Sequence, residues 1–242
     1  MQSPAGVRKS CYTRIVPTPI LFIPGLACGE GQWREHADFY GAARETAAFE
    51  LPTRPGLSVA GHLSALGEKL ERLRWEKTLL IGHSLGANLA AAFAQENPSR
   101  VEAVVLVDPT GDLRQESESV RLSLLDGLEQ NYAESVRSWF EEMLGPNARR
   151  ETRSRVFVDL DSASRESVVS ILDAFWDRDL AAVLAGRLDR TLCVDSEGIK
   201  GPYAFQRLYP ELRRKTIPGT SHWPHLDDPD AFRGALKGFF SL

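Results

Sequence analysis

The sequence is poor in cysteine, and it has neither a long apolar run nor a block of basic charge. Its 242 residues contain three cysteines, Cys11, Cys28 and Cys193, which are far apart in the chain. This spacing argues against a disulfide framework and favours structural thiols in a reducing compartment. The sequence has no close cysteine pair, H-x-x-x-H pair, G-x-G-x-x-G sequence or P-loop. We therefore expect neither a metal site nor a cofactor.

The same absences bear on where the protein acts. Every apolar run is shorter than the roughly 18 residues of a membrane-spanning helix, and the N-terminus lacks a signal-peptide pattern. The net charge of −4 comes from interspersed arginine and glutamate, not from a basic patch of the kind that binds nucleic acid. We expect a soluble, cytoplasmic protein with no membrane or nucleic-acid partner. The sequence carries no sign of its oligomeric state.

What the sequence does contain is an alternation of short apolar runs with helical patterns. With 43% hydrophobic and 26% charged residues, the chain has the balance of one ordered domain that carries an insertion. Alternating strands and helices predict an α/β protein with a mostly parallel sheet covered by helices. The predicted strands are 20–23, 43–50, 78–81, 103–107, 191–194 and 213–217, and helices are predicted at 59–74 and 85–97.

Between residues 111 and 186 strand-like runs nearly vanish and apolar residues recur at helical spacing. This change predicts a helical cap (111–186) inserted into a core domain made of residues 1–110 and 187–242. After the last strand, Asp228 and Pro229 are expected to begin a final helix that buries Phe232, Leu236 and Phe239.

The segment 82–86 reads GHSLG and matches the G-x-S-x-G pattern. It lies between a predicted strand and a predicted helix, which is the context that makes this short pattern informative. A sharp turn there lifts the hydroxyl of Ser84 above the sheet, and the flanking glycines allow neighbouring backbone to pass close by. The pattern predicts that Ser84 is a nucleophile.

A serine nucleophile needs a base of near-neutral pKa within hydrogen-bond reach, and histidine is the usual choice. His222 follows the last predicted strand and precedes the final helix, so it is the favoured base. His225, three residues later, is the competitor. The remaining histidines, His36, His62 and His83, are expected to be surface or packing residues.

Taken together, these features resemble the α/β-hydrolase superfamily. The resemblance consists of a Pro24-Gly25 loop followed by Trp33, the GHSLG turn, and a late Gly-x-x-His-x-Pro-x-Leu before a terminal helix, and it covers residues 20–242. It implies a twisted, mostly parallel sheet of seven or eight strands flanked by helices, with the cap inserted after the sixth strand. It also implies a Ser–acid–His triad.

The resemblance further assigns an oxyanion hole to two backbone N–H groups. One is that of Leu26 in the loop that begins with Pro24-Gly25, called the first loop below, and the other is that of Leu85 after the nucleophile. Such donors stabilise the negative oxygen of a tetrahedral intermediate. Cys28 lies beside this loop, and we expect it to be a buried structural thiol.

The acid is where the sequence departs from the common family pattern. Family members usually carry an aspartate in the turn after the strand 191–194, and here Ile199 stands at that position. Asp108, at the end of the preceding strand, is the favoured acid because some members carry it there. Glu197 and Asp195 remain alternatives, as does a Ser–His pair without an acid.

The chain has several aromatic residues that belong to the cap or lie beside His222. Most are expected to form the core of the cap, while Trp223, Trp139 and His83 are the candidates for the substrate pocket. The charged residues 149–161 are expected to be a solvated face.

The sequence therefore predicts a serine hydrolase that cleaves a carboxylic ester, thioester or lactone of a small hydrophobic molecule through an acyl-enzyme on Ser84. An aspartate nucleophile, as in haloalkane dehalogenases and epoxide hydrolases, is disfavoured because serine stands at that position. Two alternatives remain: a cofactor-free dioxygenase that uses His222 and the acid as a base, and a non-catalytic ligand-binding receptor.

Overall fold

Short apolar segments form a six-stranded parallel sheet at the centre of the molecule. The computed structural model describes residues 17–54, 56–176, 178–180, 182–197 and 201–239. The sheet order is β2-β1-β3-β4-β5-β6, and every pair of neighbours is parallel. The strands are β1 (Ile20–Ile23), β2 (Thr46–Ala48), β3 (Thr78–His83), β4 (Val101–Val107), β5 (Thr191–Asp195) and β6 (Arg213–Thr216).

The predicted parallel α/β architecture is confirmed, but two details differ. The described residues form six strands, not seven or eight, and the helical segment follows β4, the fourth strand in chain order. In the described residues β1 is the first strand along the chain. It pairs with β2 on one side and with β3 on the other, so no earlier strand is counted before it. Residues 1–16, and Cys11 with them, lie outside the described residues.

Helices connect the strands and cover both faces of the sheet. Ser58 and Asp228 cap the helices that follow them, each accepting a hydrogen bond from a first-turn N–H group. Across the described ranges, no helix combines the length and apolar character needed to cross a bilayer. The α-helices are α1 (Arg34–Gly41), α2 (Val59–Arg72), α3 (Leu85–Glu96), α4 (Glu118–Gln130), α5 (Tyr132–Leu144), α6 (Arg150–Ser162), α7 (Arg165–Trp176), α8 (Phe205–Leu208), α9 (Pro224–Asp227) and α10 (Pro229–Leu236).

Side chains along the strands alternate between two hydrophobic clusters, as the two-residue period of a strand requires. Leu21 and Leu80 point to the face covered by α2 and α3. Phe22 and Ile81 point to the opposite face, where they meet Phe232 of α10 among others. The sheet is therefore buried on both sides.

The helical segment α4–α7 lies within the predicted range 111–186. Its buried residues, including Phe140, Leu144 and Phe175, belong to the same hydrophobic cluster as Leu80 and Leu106 of the sheet. The segment is thus continuous with the hydrophobic core on one face of the sheet, and its helix α7 contacts α2. The division of the chain into a core domain and a separate cap stays a prediction.

Candidate active site

The chain makes a strained bend at Ser84, between β3 and α3. Ser84 has φ 52° and ψ −121°, although it is not a glycine, and such a conformation costs about 1–3 kcal/mol. Its N–H group donates to the carbonyl oxygen of Val107 at 2.8 Å, so the bend begins where β3 leaves its neighbour β4. The side chain of Ser84 is consequently held at the carboxyl end of the sheet, on the wall of a cavity.

The glycines on either side of this bend are required by close backbone approach. A Cβ atom at Gly82 would overlap the backbone of Gly86, and one at Gly86 would overlap the carbonyl oxygen of Pro24. The absence of a side chain at Gly86 therefore brings the first loop against the start of α3. This is the role that the sequence pattern predicted for the two glycines.

Asp108 and His222 form a hydrogen-bonded pair beside the bend. Nδ1 of His222 donates to Oδ2 of Asp108 at 3.2 Å. Asp108 is fully buried, and its carboxylate also accepts hydrogen bonds from the N–H (3.0 Å) and the hydroxyl (2.7 Å) of Ser196. Because Nδ1 carries the proton in this arrangement, Nε2 of neutral His222 has a free lone pair.

The other two acid candidates lie elsewhere. Asp195 is buried, and its carboxylate accepts hydrogen bonds from Arg214 (2.5 Å), Gln206 (2.9 Å) and Thr216 (2.8 Å). Glu197 is exposed. Of the three carboxylates considered, the one that contacts His222 is that of Asp108. Ile199, which occupies the usual acid position, lies outside the described residues.

Ser84 and His222 both line the same cavity. The Oγ atom of Ser84 is 3.5 Å from Oγ1 of Thr110, longer than the roughly 2.5–3.0 Å of a good hydroxyl hydrogen bond. The serine hydroxyl is therefore held only weakly by Thr110.

A second buried carboxylate, Asp227, holds the loop that carries His222. It accepts hydrogen bonds from the N–H (2.7 Å) and the hydroxyl (2.5 Å) of Ser221, the residue before His222. It also accepts the N–H of Arg149 at 2.9 Å, and the N–H of His222 donates to the carbonyl oxygen of Met143 at 3.2 Å. The histidine loop is thus tied to the helical segment. Sequence reasoning missed this residue, for which the only signal was an acid close after the histidine.

The two predicted oxyanion residues, Leu26 and Leu85, also line the cavity. Leu85 is the first residue of α3, where an N–H group has no acceptor within the helix. The first loop is fixed from α6 by Asp159, whose Oδ2 accepts from the N–H of Gly29 (2.9 Å) and from Gln32 (2.6 Å).

The prediction that residues 149–161 form a solvated face is therefore wrong for Asp159. Its side chain is only 13% exposed and turns inward to the first loop, while Arg155 lies 3.7 Å from its other oxygen. A hydrogen bond from a backbone N–H, here that of Gly29, to an ionised carboxylate is stronger than one between neutral groups. Asp161 does follow the prediction, since it is exposed and lies 3.5 Å from Arg137.

The cavity has a volume of about 630 Å³. The helical segment supplies much of its wall, including Trp139, and Trp223 lines it beside His222. His83 lines the cavity too, although it is almost completely buried. The apolar residues of the wall beyond the first loop and α3 are Leu113, Val120, Leu124, Trp139, Phe140, Met143, Leu144, Leu172, Trp176, Tyr203 and Trp223.

Three histidines are packed beneath the site. Nε2 of His83 donates to the carbonyl oxygen of His222 at 2.8 Å, so His83 supports the backbone of the candidate base. His225, the competitor, is fully buried and stacks on Trp33 with ring centroids 4.2 Å apart. Burial lowers the pKa of His83 and of His225 well below 6.5, with neighbouring histidines as the next cause. Burial likewise lowers the pKa of His36 to about 4.

Cys28 adjoins the cavity, and burial raises the pKa of its thiol to about 12. It is therefore a neutral thiol at physiological pH and a poor nucleophile. In the part of the chain that the structure describes, no group of three or more His, Cys, Asp or Glu residues is arranged to hold a metal ion.

Comparisons with known proteins bear on the family. The 1-acylglycerol-3-phosphate O-acyltransferase ABHD5 of Rattus norvegicus is 32% identical over 106 residues, which cover 39% of this chain and 30% of that protein. The chain therefore matches less than a third of the length of this relative. The sn-1-specific diacylglycerol lipase ABHD11 of Mus musculus is 24% identical over 215 residues, which cover 79% of this chain and 68% of that protein.

A thermophilic esterase from Thermogutta terrifontis has a similar structure, with a TM-score of 0.77 and 16% sequence identity, over 93% of this chain and 92% of the esterase. At that identity the likeness shows the fold alone. The sequence profile of the Alpha/beta hydrolase family matches residues 20–235, which is most of the sequence. The chain therefore belongs to the alpha/beta hydrolase family.

Proposed function

We propose that the protein is a serine hydrolase that cleaves a carboxylic ester, thioester or lactone of a small hydrophobic substrate. Oγ of Ser84 attacks the carbonyl carbon while Nε2 of His222 accepts the hydroxyl proton. His222 passes this proton to the leaving group, and an acyl-enzyme forms on Ser84. Water, deprotonated by His222, then releases the acid and restores the serine.

One arrangement carries the proposal: Ser84 at its strained bend and the hydrogen-bonded His222–Asp108 pair line the same cavity. In the proposed reaction the buried carboxylate orients the imidazole and stabilises its charged form. The N–H groups of Leu26 and Leu85 are our candidates for the oxyanion hole, where loss of one donor typically costs about 10²–10³ in rate.

The relatives support the class of reaction more than the substrate. The mouse protein is named as a lipase and the rat protein as an acyltransferase, and both names describe chemistry at an acyl carbon. The apolar wall of the cavity favours a hydrophobic acyl or alcohol part, since such walls bind by burying apolar surface.

A second candidate is a reaction without an acyl-enzyme, in which the His222–Asp108 pair removes a proton from the substrate. One observation favours it: the hydrogen bond between His222 and Asp108 is formed, whereas the hydroxyl of Ser84 has Thr110 as its neighbour. In this case Ser84 would bind the substrate and would not become acylated.

Labelling and kinetics separate the two candidates. A fluorophosphonate probe is expected to add once, at Ser84, and p-nitrophenyl butyrate is expected to give a burst followed by turnover. Ser84→Ala should abolish labelling and lower kcat by about 10⁴-fold or more. Ser99→Ala, at an exposed serine before β4, is the matched control. Undiminished ester turnover by Ser84→Ala would exclude the serine mechanism.

A further inference from the structure

The charged residues on the cavity wall are all acidic. Apart from Asp108, which is engaged with His222, the wall carries the carboxylates of Glu116 and Glu142. Among the described residues that line the cavity there is no lysine or arginine. A space lined largely by apolar residues thus has two further negative groups, the half-buried Glu116 and the exposed Glu142, and no lysine or arginine among its described lining residues to oppose them.

Glu116 acts electrostatically on the cavity wall. One of its carboxylate oxygens accepts the N–H of Ser117 at 2.9 Å. Burial raises the pKa of the phenol of Tyr203, and the negative charge of Glu116 raises it further. Because Tyr203 lines the same cavity, the field of this carboxylate reaches the space where a substrate would lie.

Arg114, two residues before Glu116, is paired with other carboxylates. Arg114 donates to the buried carboxylate of Asp112 at 3.1 and 3.0 Å, and it also lies 2.5 Å from Asp179. On helix α4, Arg121 faces Asp173 at 3.5 Å. These guanidinium groups pair with other acids, and within the described residues no ion pair reaches Glu116 or Glu142.

We propose that the cavity selects esters whose acyl and alcohol parts are uncharged, and that Glu116 and Glu142 reject substrates bearing a carboxylate or another anionic group. An anion entering this space would lose water without gaining a cationic partner, and it would meet two like charges. The inference rests on the proposed hydrolase function and adds to it a determinant of substrate charge.

Three esters that share the p-nitrophenolate leaving group and a six-carbon acyl chain test whether the cavity rejects a negatively charged substrate. They are p-nitrophenyl hexanoate, the p-nitrophenyl half-ester of adipic acid, and the methyl p-nitrophenyl diester of adipic acid. The diester has nearly the length and polarity of the half-ester but no charge, so their comparison isolates the carboxylate. We expect kcat/KM for the half-ester to be at least about tenfold below that for the diester, with the gap narrowing in high salt.

The double variant Glu116→Gln/Glu142→Gln should raise the half-ester to diester ratio of kcat/KM by about threefold or more. Glu76→Gln makes the same change at an exposed site just before β3, at the end of the strands opposite the cavity, and should leave the ratio unaltered. Equal kcat/KM for the two adipate esters in the wild type, or an unchanged ratio in the double variant, would overturn the inference. Failure to hydrolyse even the hexanoate would instead count against the hydrolase function.

Discussion

The imidazole of His222 donates from Nδ1 to Oδ2 of Asp108 at 3.2 Å, and that carboxylate has no exposed surface. The two residues come from loops more than 100 positions apart in sequence. Asp108 follows β4 and His222 follows β6, and these two strands lie on either side of β5 in the parallel sheet, so both residues emerge at the same end of the strands. Ser196, just after β5, holds the carboxylate in place through two hydrogen bonds.

This pair leads to the first prediction. Asp108→Asn should lower kcat by about 10³–10⁴-fold, because the amide can present its N–H to the ring and favour the wrong tautomer. Ester hydrolysis measured beside Glu197→Gln, which alters an exposed acid, provides the control. The assignment is wrong if the Glu197 variant loses activity while the Asp108 variant keeps it.

A second prediction concerns the brace of the histidine loop. Asp227→Asn should lower kcat by about 10²-fold, since an amide cannot accept all three hydrogen bonds from Ser221 and Arg149 and the ring of His222 would shift. The rate of fluorophosphonate labelling at Ser84 should fall with kcat. Asp230→Asn, at an exposed acid of α10, is the matched change. A lower melting temperature with normal kcat would mean that Asp227 only stabilises the fold.

A third prediction contrasts two glycines. Gly86→Ala should lower both the melting temperature and kcat, because its Cβ would overlap the backbone of the first loop. Gly234→Ala has open space around it within α10 and should raise the free energy of unfolding by about 0.4–1 kcal/mol. Thermal denaturation and ester kinetics on both variants check this. Equal behaviour of the two variants would contradict the close approach described at Gly86.

A fourth prediction follows from the buried histidines. Their pKa values are lowered in the folded protein, to about 4 for His36 against an ordinary 6.5, so below that ordinary pKa the unfolded chain binds protons that the folded protein does not. The free energy of unfolding should therefore fall as the pH decreases from 6.5 towards 4, by about 1.4 kcal/mol per pH unit for each such histidine. Above this window their contribution should be constant.

Urea denaturation across this pH range measures the effect. His36→Gln keeps a side-chain N–H for the carbonyl oxygen of His225 but cannot be protonated. Unfolding of this variant should take up about one proton fewer than unfolding of the wild type. Its free energy of unfolding should therefore depend less steeply on pH. An identical slope would show that His36 is not responsible.

The parallel sheet and the bend at Ser84 could be predicted because local sequence determines them. Continuous apolar runs are typical of buried parallel strands, and the glycines of GHSLG leave few alternatives for the turn. The ends of β4 and of α3 differed from prediction by only one or two residues. Domain boundaries at the helical segment depend on packing, which a helical period does not report.

The surroundings of the candidate site were harder to foresee because they depend on contacts between distant segments. Which of Asp108, Asp195 and Glu197 contacts His222 depends on the order of the strands and on the partners that occupy Asp195. The inward turn of Asp159 depends on where α6 lies relative to the first loop. Neither of these contacts can be recognised from the local sequence pattern of the segments that form it.

The contacts of α5 and α6 with the two site loops have a consequence for how such a protein evolves. Met143 of α5 holds the backbone of His222, and Asp159 of α6 holds that of Gly29, so the helical segment that lines part of the cavity also fixes the two loops beside it. Recombination that replaced this segment as a block would alter substrate range and turnover together. If single wall residues were exchanged while the Met143–His222 and Asp159–Gly29 hydrogen bonds were kept, substrate selectivity could diverge while the reaction is retained.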